Sequence, residues 1–176
     1  MTDRPIVLEV IVQSLQDARA AADGGADRLE VVRDIRLGGL TPPVSLVRAI
    51  AAEIVLPLRV MVRENAAYGT DAAELVRLCR AAAAFAAFEV DGLVIGFARD
   101  GQLLLDELRE VFQAAPTLPA TFHRAFDSLD DPLRAIDALS DIAQIDGVLT
   151  DGVSAGLYGR SAALASASTP IAQAPA

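Results

Sequence analysis

Several ionisable side chains of this chain sit inside its apolar runs, where charge is costly. Glu9 interrupts the run 6–12, and Glu30 lies within 28–33. Arg59 and Arg63 share one face of 58–63 with Met61, and His123 shares a face of 120–123 with Thr121. Parallel strands covered on both sides read as nearly continuous apolar segments. An ion aimed into such a layer must find a partner, because an unpaired buried charge costs several kcal/mol.

Two readings of these residues stay open. The acids and arginines can neutralise one another and serve only the fold. Alternatively, they build an anion-recognition site at the carboxyl ends of the strands, where βα folds bind ligands. On the second reading Glu9, Glu30, Arg63, Asn65 and Arg124 are the candidate ligand-binding residues, and His123 and Asp127 the candidate catalytic ones. Arginine suits carboxylate and phosphate through paired hydrogen bonds. His123 is the single histidine, and an ordinary imidazole titrates near neutrality, as a general acid or base requires. The segment LGGLTPP at 37–43 adds two glycines and a helix start, whose free N–H groups can face an anion. Cys79 lies in a helical stripe with Leu75, Leu78, Ala82 and Phe85, the spacing of a buried structural thiol.

The elements that must position these groups alternate in type. Short β-branched runs at 6–12, 28–33, 58–63, 93–97, 120–123 and 147–150 predict strands. Amphipathic segments at 15–23, 42–54, 71–88, 103–115 and 132–142 predict helices, with start signals at Ser14, Thr41, Thr70 and Asp131. Six strands separated by five helices imply a parallel sheet with right-handed crossovers. An open doubly wound sheet and a (β/α)8 barrel both fit this pattern. No dinucleotide fingerprint follows the first strand.

Composition narrows the chemistry further. All 15 basic residues are arginines, so reactions needing a lysine amine are excluded. A net charge of -9 argues against a nucleic-acid partner. One cysteine leaves no disulfide framework. The longest apolar run, 81–88, is far short of the roughly 20 residues of a spanning helix, and the acids at Asp3 and Glu9 are foreign to a signal peptide. A soluble cytoplasmic protein is expected. The Ser-, Ala- and Pro-rich stretch 153–176 is expected to be a disordered tail after a domain at 1–152.

GGLTPP at 38–43 and TFHRAFD at 121–127, with LEV at 8–10, ADRLEV at 26–31, VMVREN at 60–65 and GLVIGF at 92–97, resemble the CutC copper-homeostasis protein family. The resemblance runs in order from Ile6 to Asp151. It implies a cytoplasmic (β/α)8 TIM barrel associated with copper handling, its inward polar residues falling on Glu9, Glu30, Arg63, His123, Arg124 and Asp127. This chain departs from the family pattern where many members carry cysteines, having Ile11, Val12 and Val32 there. His123 and Cys79 are the remaining candidate copper ligands, since Cu(I) prefers soft donors. The family's last two βα units are not recognisable. An incomplete barrel of about six units is therefore expected, with open edges that invite self-association. Three functions follow as expectations: copper binding, a barrel enzyme acting on a small phosphate or carboxylate metabolite, and an inactive truncated remnant.

Overall fold

The structure, a computed structural model, describes residues 6–88 and 90–152. Strands β1 (Glu9–Val12), β2 (Arg28–Val31), β3 (Leu58–Val62) and β4 (Gly92–Ile95) alternate with helices α1 (Leu15–Asp23), α2 (Val44–Glu53) and α3 (Ala72–Phe85). A short hairpin, β5 (Ala98–Arg99) and β6 (Gln102–Leu103), leads to α4 (Leu105–Ala114). β7 (Ala120–Phe122), α5 (Pro132–Ser140) and β8 (Ile145–Val148) complete the described elements. The main sheet is wholly parallel, in the order β1-β2-β3-β4-β7-β8. Strands that pair in chain order, each joined to the next through a helix, make the wall of a β/α barrel. Doubly wound sheets reverse their order and this one does not. Among the described residues the barrel is incomplete, with β1 and β8 as edges.

Alternation along the strands sorts side chains onto two faces. Val10, Val12, Leu29, Val31, Val60, Val62, Leu93, Ile95, Ala120 and Phe122 join the helices in one large core. Val32, Met61 and Val94 form a separate small cluster on the inner face. Helix starts follow local chemistry. Ser14 caps α1 through the Asp17 N–H, and Asp131 caps α5 with Pro132 in its first turn. At α3 the cap is Asp71, which forms a reciprocal capping box with Glu74, so the expected Thr70 is displaced by one residue. At α2 the expected cap Thr41 is engaged elsewhere, and Pro43 precedes the helix without a side-chain bond.

The last strand begins two residues earlier than its apolar run suggests, and a register shift between Ala120 and Thr121 accommodates it. Along the β1 edge Leu8 and Ile11 are about half exposed, and Val148 and Leu149 are over a third exposed beside β8. Among the described residues no helix is long and apolar enough to cross a membrane. The expected tail 153–176 lies outside the described residues.

Candidate functional site

Register places the inner-face residues in three tiers. Glu30, Arg59 and Gly92 are aligned across β2, β3 and β4. One pleat further on, Met61, Val94 and Thr121 form the middle tier, with Val32 packed beside Met61 and Val94. A further pleat brings Arg63, Gly96 and His123 to the carboxyl ends of β3, β4 and β7. The apolar collar therefore separates two polar levels.

The lower level is mostly self-satisfied. Arg59 donates to Asp91 at 3.2 Å and to Asp146 at 3.2 and 2.5 Å, spanning the inner face from β3 to β8. Glu9 pairs with Arg28. Glu30 lies on the same wall, buried, with no hydrogen bond from any described residue. Burial, reinforced by the Glu9 carboxylate and opposed by Arg28, pushes its carboxyl up to about 7. The folded value exceeds the unfolded one, so the stability Glu30 contributes is complete at low pH. It is lost as pH rises through about 7. Glu30→Gln, which imitates the protonated acid, is expected to stabilise the fold by about 2 kcal/mol near pH 8 and to change little near pH 4.5. Thermal melts at the two pH values check this, and an equal effect at both would remove the ionisation argument.

The upper level is built around Arg63 and His123. The Thr41 hydroxyl donates to the Arg63 carbonyl at 2.9 Å and accepts from the Arg63 N–H at 2.8 Å, locking the end of β3. The Arg63 guanidinium donates to the carbonyls of Gly38 (3.2 Å), Ala67 (3.4 Å) and Ala66. Gly38, at φ +80°, lies so close that a Cβ would sit 3.0 Å from Arg63 Nη1. The GGLTPP segment thus wraps an arginine, whose expected role as an anion clamp is largely taken by backbone oxygens. Asn65 donates to Gly69 O (3.2 Å) and Glu74 Oε2 (2.9 Å), while its own Oδ1 is buried with no partner among the described residues. Arg124 pairs with Asp127 and Asp151. Asp127 also accepts from the Thr150 hydroxyl and from the Asp151 N–H at 3.2 Å, so it ties the ends of β7 and β8 together.

His123 is 2% exposed and follows β7. Its Nδ1 accepts the Ala125 N–H at 3.1 Å, which puts the proton of the neutral ring on Nε2. That Nε2 is buried without a partner among the described residues. Burial, with the Arg63 charge adding to it, pushes the imidazole down to about 3, so the ring is neutral throughout the physiological range. A fixed N–H donor results, where the sequence suggests an acid/base. Tyr68, to which the sequence gives no signal, packs its ring 5.5 Å from His123 and 4.8 Å from the Arg63 guanidinium carbon. A cavity of about 500 Å3 opens beside it, lined by 66–69, 98–101 and Ser128.

The donors for copper are dispersed. Cys79 stands on α3 against the large core, on the helical side of the sheet, and its thiol is pushed up by burial and by Glu110. His123 occupies the opposite side, with its free nitrogen protonated. Among the described residues no group of three His, Cys, Asp or Glu side chains could hold a metal ion. The residues present do not fit a preformed copper cage.

Comparison with known proteins places this arrangement. The model of the CutC family matches residues 6–168. A CutC protein of Xanthomonas campestris pv. campestris (strain 8004) is 35% identical over 150 residues, 84% of this chain and 62% of the relative. The human copper homeostasis protein cutC homolog is 31% identical over 148 residues, 83% of this chain and 54% of the relative. The chain therefore spans less than two thirds of the length of these relatives. Among solved structures, one assigned as the copper homeostasis protein CutC of Streptococcus agalactiae superposes with a TM-score of 0.75 at 22% identity. It covers 84% of this chain and 73% of its own. Another, assigned as a phosphonomutase of Burkholderia cenocepacia J2315, gives 0.55 at 19% identity, covering 81% and 68%. Both likenesses concern the fold.

Proposed function

The chain belongs to the CutC family, and from that premise we propose that it serves copper homeostasis as a small-molecule-binding barrel. In this reading the ligand presents a carboxylate, phosphate or carbonyl oxygen to His123. The observation that carries the reading is the buried, unpartnered Nε2–H of His123. A desolvated donor left without an acceptor costs about 1–3 kcal/mol, a cost that an incoming ligand oxygen removes. Arg63 is close enough to depress His123, so its positive charge favours an anionic oxygen there. The sequence motifs bring Arg63, Asn65 and His123 to one end of the sheet, as a ligand site at the strand ends requires. Copper enters as the ion whose balance the family name describes, since the donors above supply no cage for it. The cytoplasmic setting, self-association through the β1 and β8 edges, and a folded unit at 1–152 belong to this proposal.

Thermal melting tests it. Inorganic phosphate or acetate at about a hundred times its dissociation constant is expected to stabilise the wild type by about 2.7 kcal/mol, a shift of several degrees. His123→Phe is expected to abolish that shift, and an equal shift in the variant would sink the reading. Titration with Cu(I) separates the alternative. Stoichiometric uptake weakened by Cys79→Ala or His123→Ala would replace small-molecule binding by direct copper binding.

A further inference from the structure

Among the described residues His123 Nε2 is the one buried side-chain donor without an acceptor, and Tyr68 touches both that ring and the cavity at the strand ends. Its ring lies against His123 on one side, and the same residue lines the cavity of about 500 Å3. His123 itself is absent from the cavity wall, although its Nε2 has no partner among the described residues. We propose that this cavity is the binding compartment for a small metabolite bearing a carbonyl or oxyanion. Tyr68 is then the partition whose rotation brings the ligand oxygen to His123 Nε2–H. The inference rests on the small-molecule reading above and adds to it the compartment and the residue that controls access.

The loop carrying Tyr68 is held too firmly to swing as a body. Five successive carbonyls accept hydrogen bonds. Those of Ala66 and Ala67 take the Arg63 guanidinium, and that of Tyr68 takes the Ala98 N–H at 3.1 Å. The Gly69 carbonyl takes Asn65 Nδ2 at 3.2 Å, and the Thr70 carbonyl takes Arg99 Nη2 at 2.6 Å. The Tyr68 side chain has no such ties. No described residue hydrogen-bonds its hydroxyl, and its ring is held by the tilted contact with His123 and by the Arg63 cation 4.8 Å from its centroid. With its cation buried, a contact of the second kind is worth about 2 kcal/mol, still less than releasing the hydrogen bonds to five successive carbonyls, so rotation about χ1 is the less costly motion available here. The walls suit a compact polar guest. Alanines 66, 67 and 98 and Gly69 and Gly101 leave room, while Arg99, Asp100 and Ser128 add polar atoms, the Asp100 carboxylate favouring a guest that also carries a donor.

The chain has one histidine and one cysteine, so chemical modification reads single sites. Diethyl pyrocarbonate, followed by the absorbance of the modified imidazole, is expected to react with wild-type His123 slowly. Acylation needs a lone pair on the attacking nitrogen, so reaction at Nε2 runs only through the open fraction in which the ring releases the Ala125 N–H and moves its proton to Nδ1. Tyr68→Ala is expected to raise the rate about tenfold or more. Tyr68→Phe, which keeps the ring, is expected to match the wild type. Reactivity of Cys79 towards a disulfide reagent reports the fold and is expected to be the same in all three. Continued protection of His123 in folded Tyr68→Ala would overturn the inference. Should the alanine variant lose its fold, protection in Tyr68→Leu would do so instead. Wild-type reactivity already as high as that of Tyr68→Ala would overturn it equally. Inorganic phosphate added to Tyr68→Ala is expected to restore protection. Failure of that step alone strikes the ligand reading, whereas failure of exposure strikes the partition.

Discussion

Removing both carboxylates that face Arg59, as Asp91→Asn together with Asp146→Asn, is expected to destabilise the fold by about 3–5 kcal/mol. The reason is an asymmetry of burial. The Arg59 side chain is 5% exposed, whereas those of Asp91 and Asp146 are 43% and 42% exposed. Losing the acids strands a cation within the barrel wall, below the collar of Val32, Met61 and Val94, and arginine cannot shed its proton to escape. Losing the arginine strands two aspartates that water already reaches. Arg59→Met, close in volume and apolar, is therefore expected to cost less than the double acid variant, in spite of removing the same two pairs. Either single acid variant should fall between them, because the remaining carboxylate still satisfies the guanidinium. Denaturant unfolding with an unchanged slope provides the measurement. If Arg59→Met is the more damaging, buried charge is not what the network manages, and its value lies in tying β3 to β8. Gly92 belongs to the same device. A Cβ there would stand 2.6 Å from Arg59 Nη1 and 2.5 Å from the Pro119 carbonyl, so the tier needs a residue without a side chain.

The inner face was legible before the partners were. A period of two along 58–63 puts Arg59, Met61 and Arg63 on one side, and the same logic applied to Glu9, Glu30, Thr121 and His123 selects residues that do share the inner wall. The choice between a barrel and an open doubly wound sheet was not legible, because it depends on which strands pair. The family motifs, and then the sheet order, decide it. Pairing of the charges escaped for a related reason. Asp91 lies just before β4, and Asp146 enters the wall only because β8 starts at Ile145 with a register shift against β7. An apolar run read in isolation carries no information on register.

The loops were harder still. Thr41 has the composition of a helix cap, yet its hydroxyl serves the backbone of Arg63, 22 residues away. Arg63 has the composition of an anion clamp, yet carbonyls of two loops converge on it. Tyr68 and the tight pair Asp100-Gly101, both at positive φ in the β5–β6 hairpin, follow no period at all. An Asp-Gly pair with apolar residues two positions away on either side (Ala98 and Leu103) is nonetheless a strong hairpin signal, so this element could have been read from the sequence.

Gly96→Ala is expected to dismantle the upper tier. A Cβ at this position would lie 2.7 Å from His123 Nδ1, 2.9 Å from Cε1 and 3.2 Å from Phe122 Cζ. Neither neighbour has room to yield, because His123 is 2% and Phe122 0% exposed. The imidazole must move, and moving it breaks the bond from the Ala125 N–H that sets its tautomer. Overpacking costs about 1–3 kcal/mol, and the orphaned N–H adds about 1–3 more. At an unstrained position Gly→Ala is ordinarily stabilising by about 0.4–1 kcal/mol, and Gly96 is not among the positive-φ glycines, so a net loss isolates the steric term. Two measurements are decisive. Stabilisation by inorganic phosphate should disappear together with the His123 geometry, and His123→Ala should rescue the thermal stability of Gly96→Ala. The rescue is read as a coupling energy of about 1–3 kcal/mol in a double-mutant cycle. Additivity of the two substitutions would show that Gly96 is retained for some reason other than the ring packed upon it. The site would then have to be built without that contact.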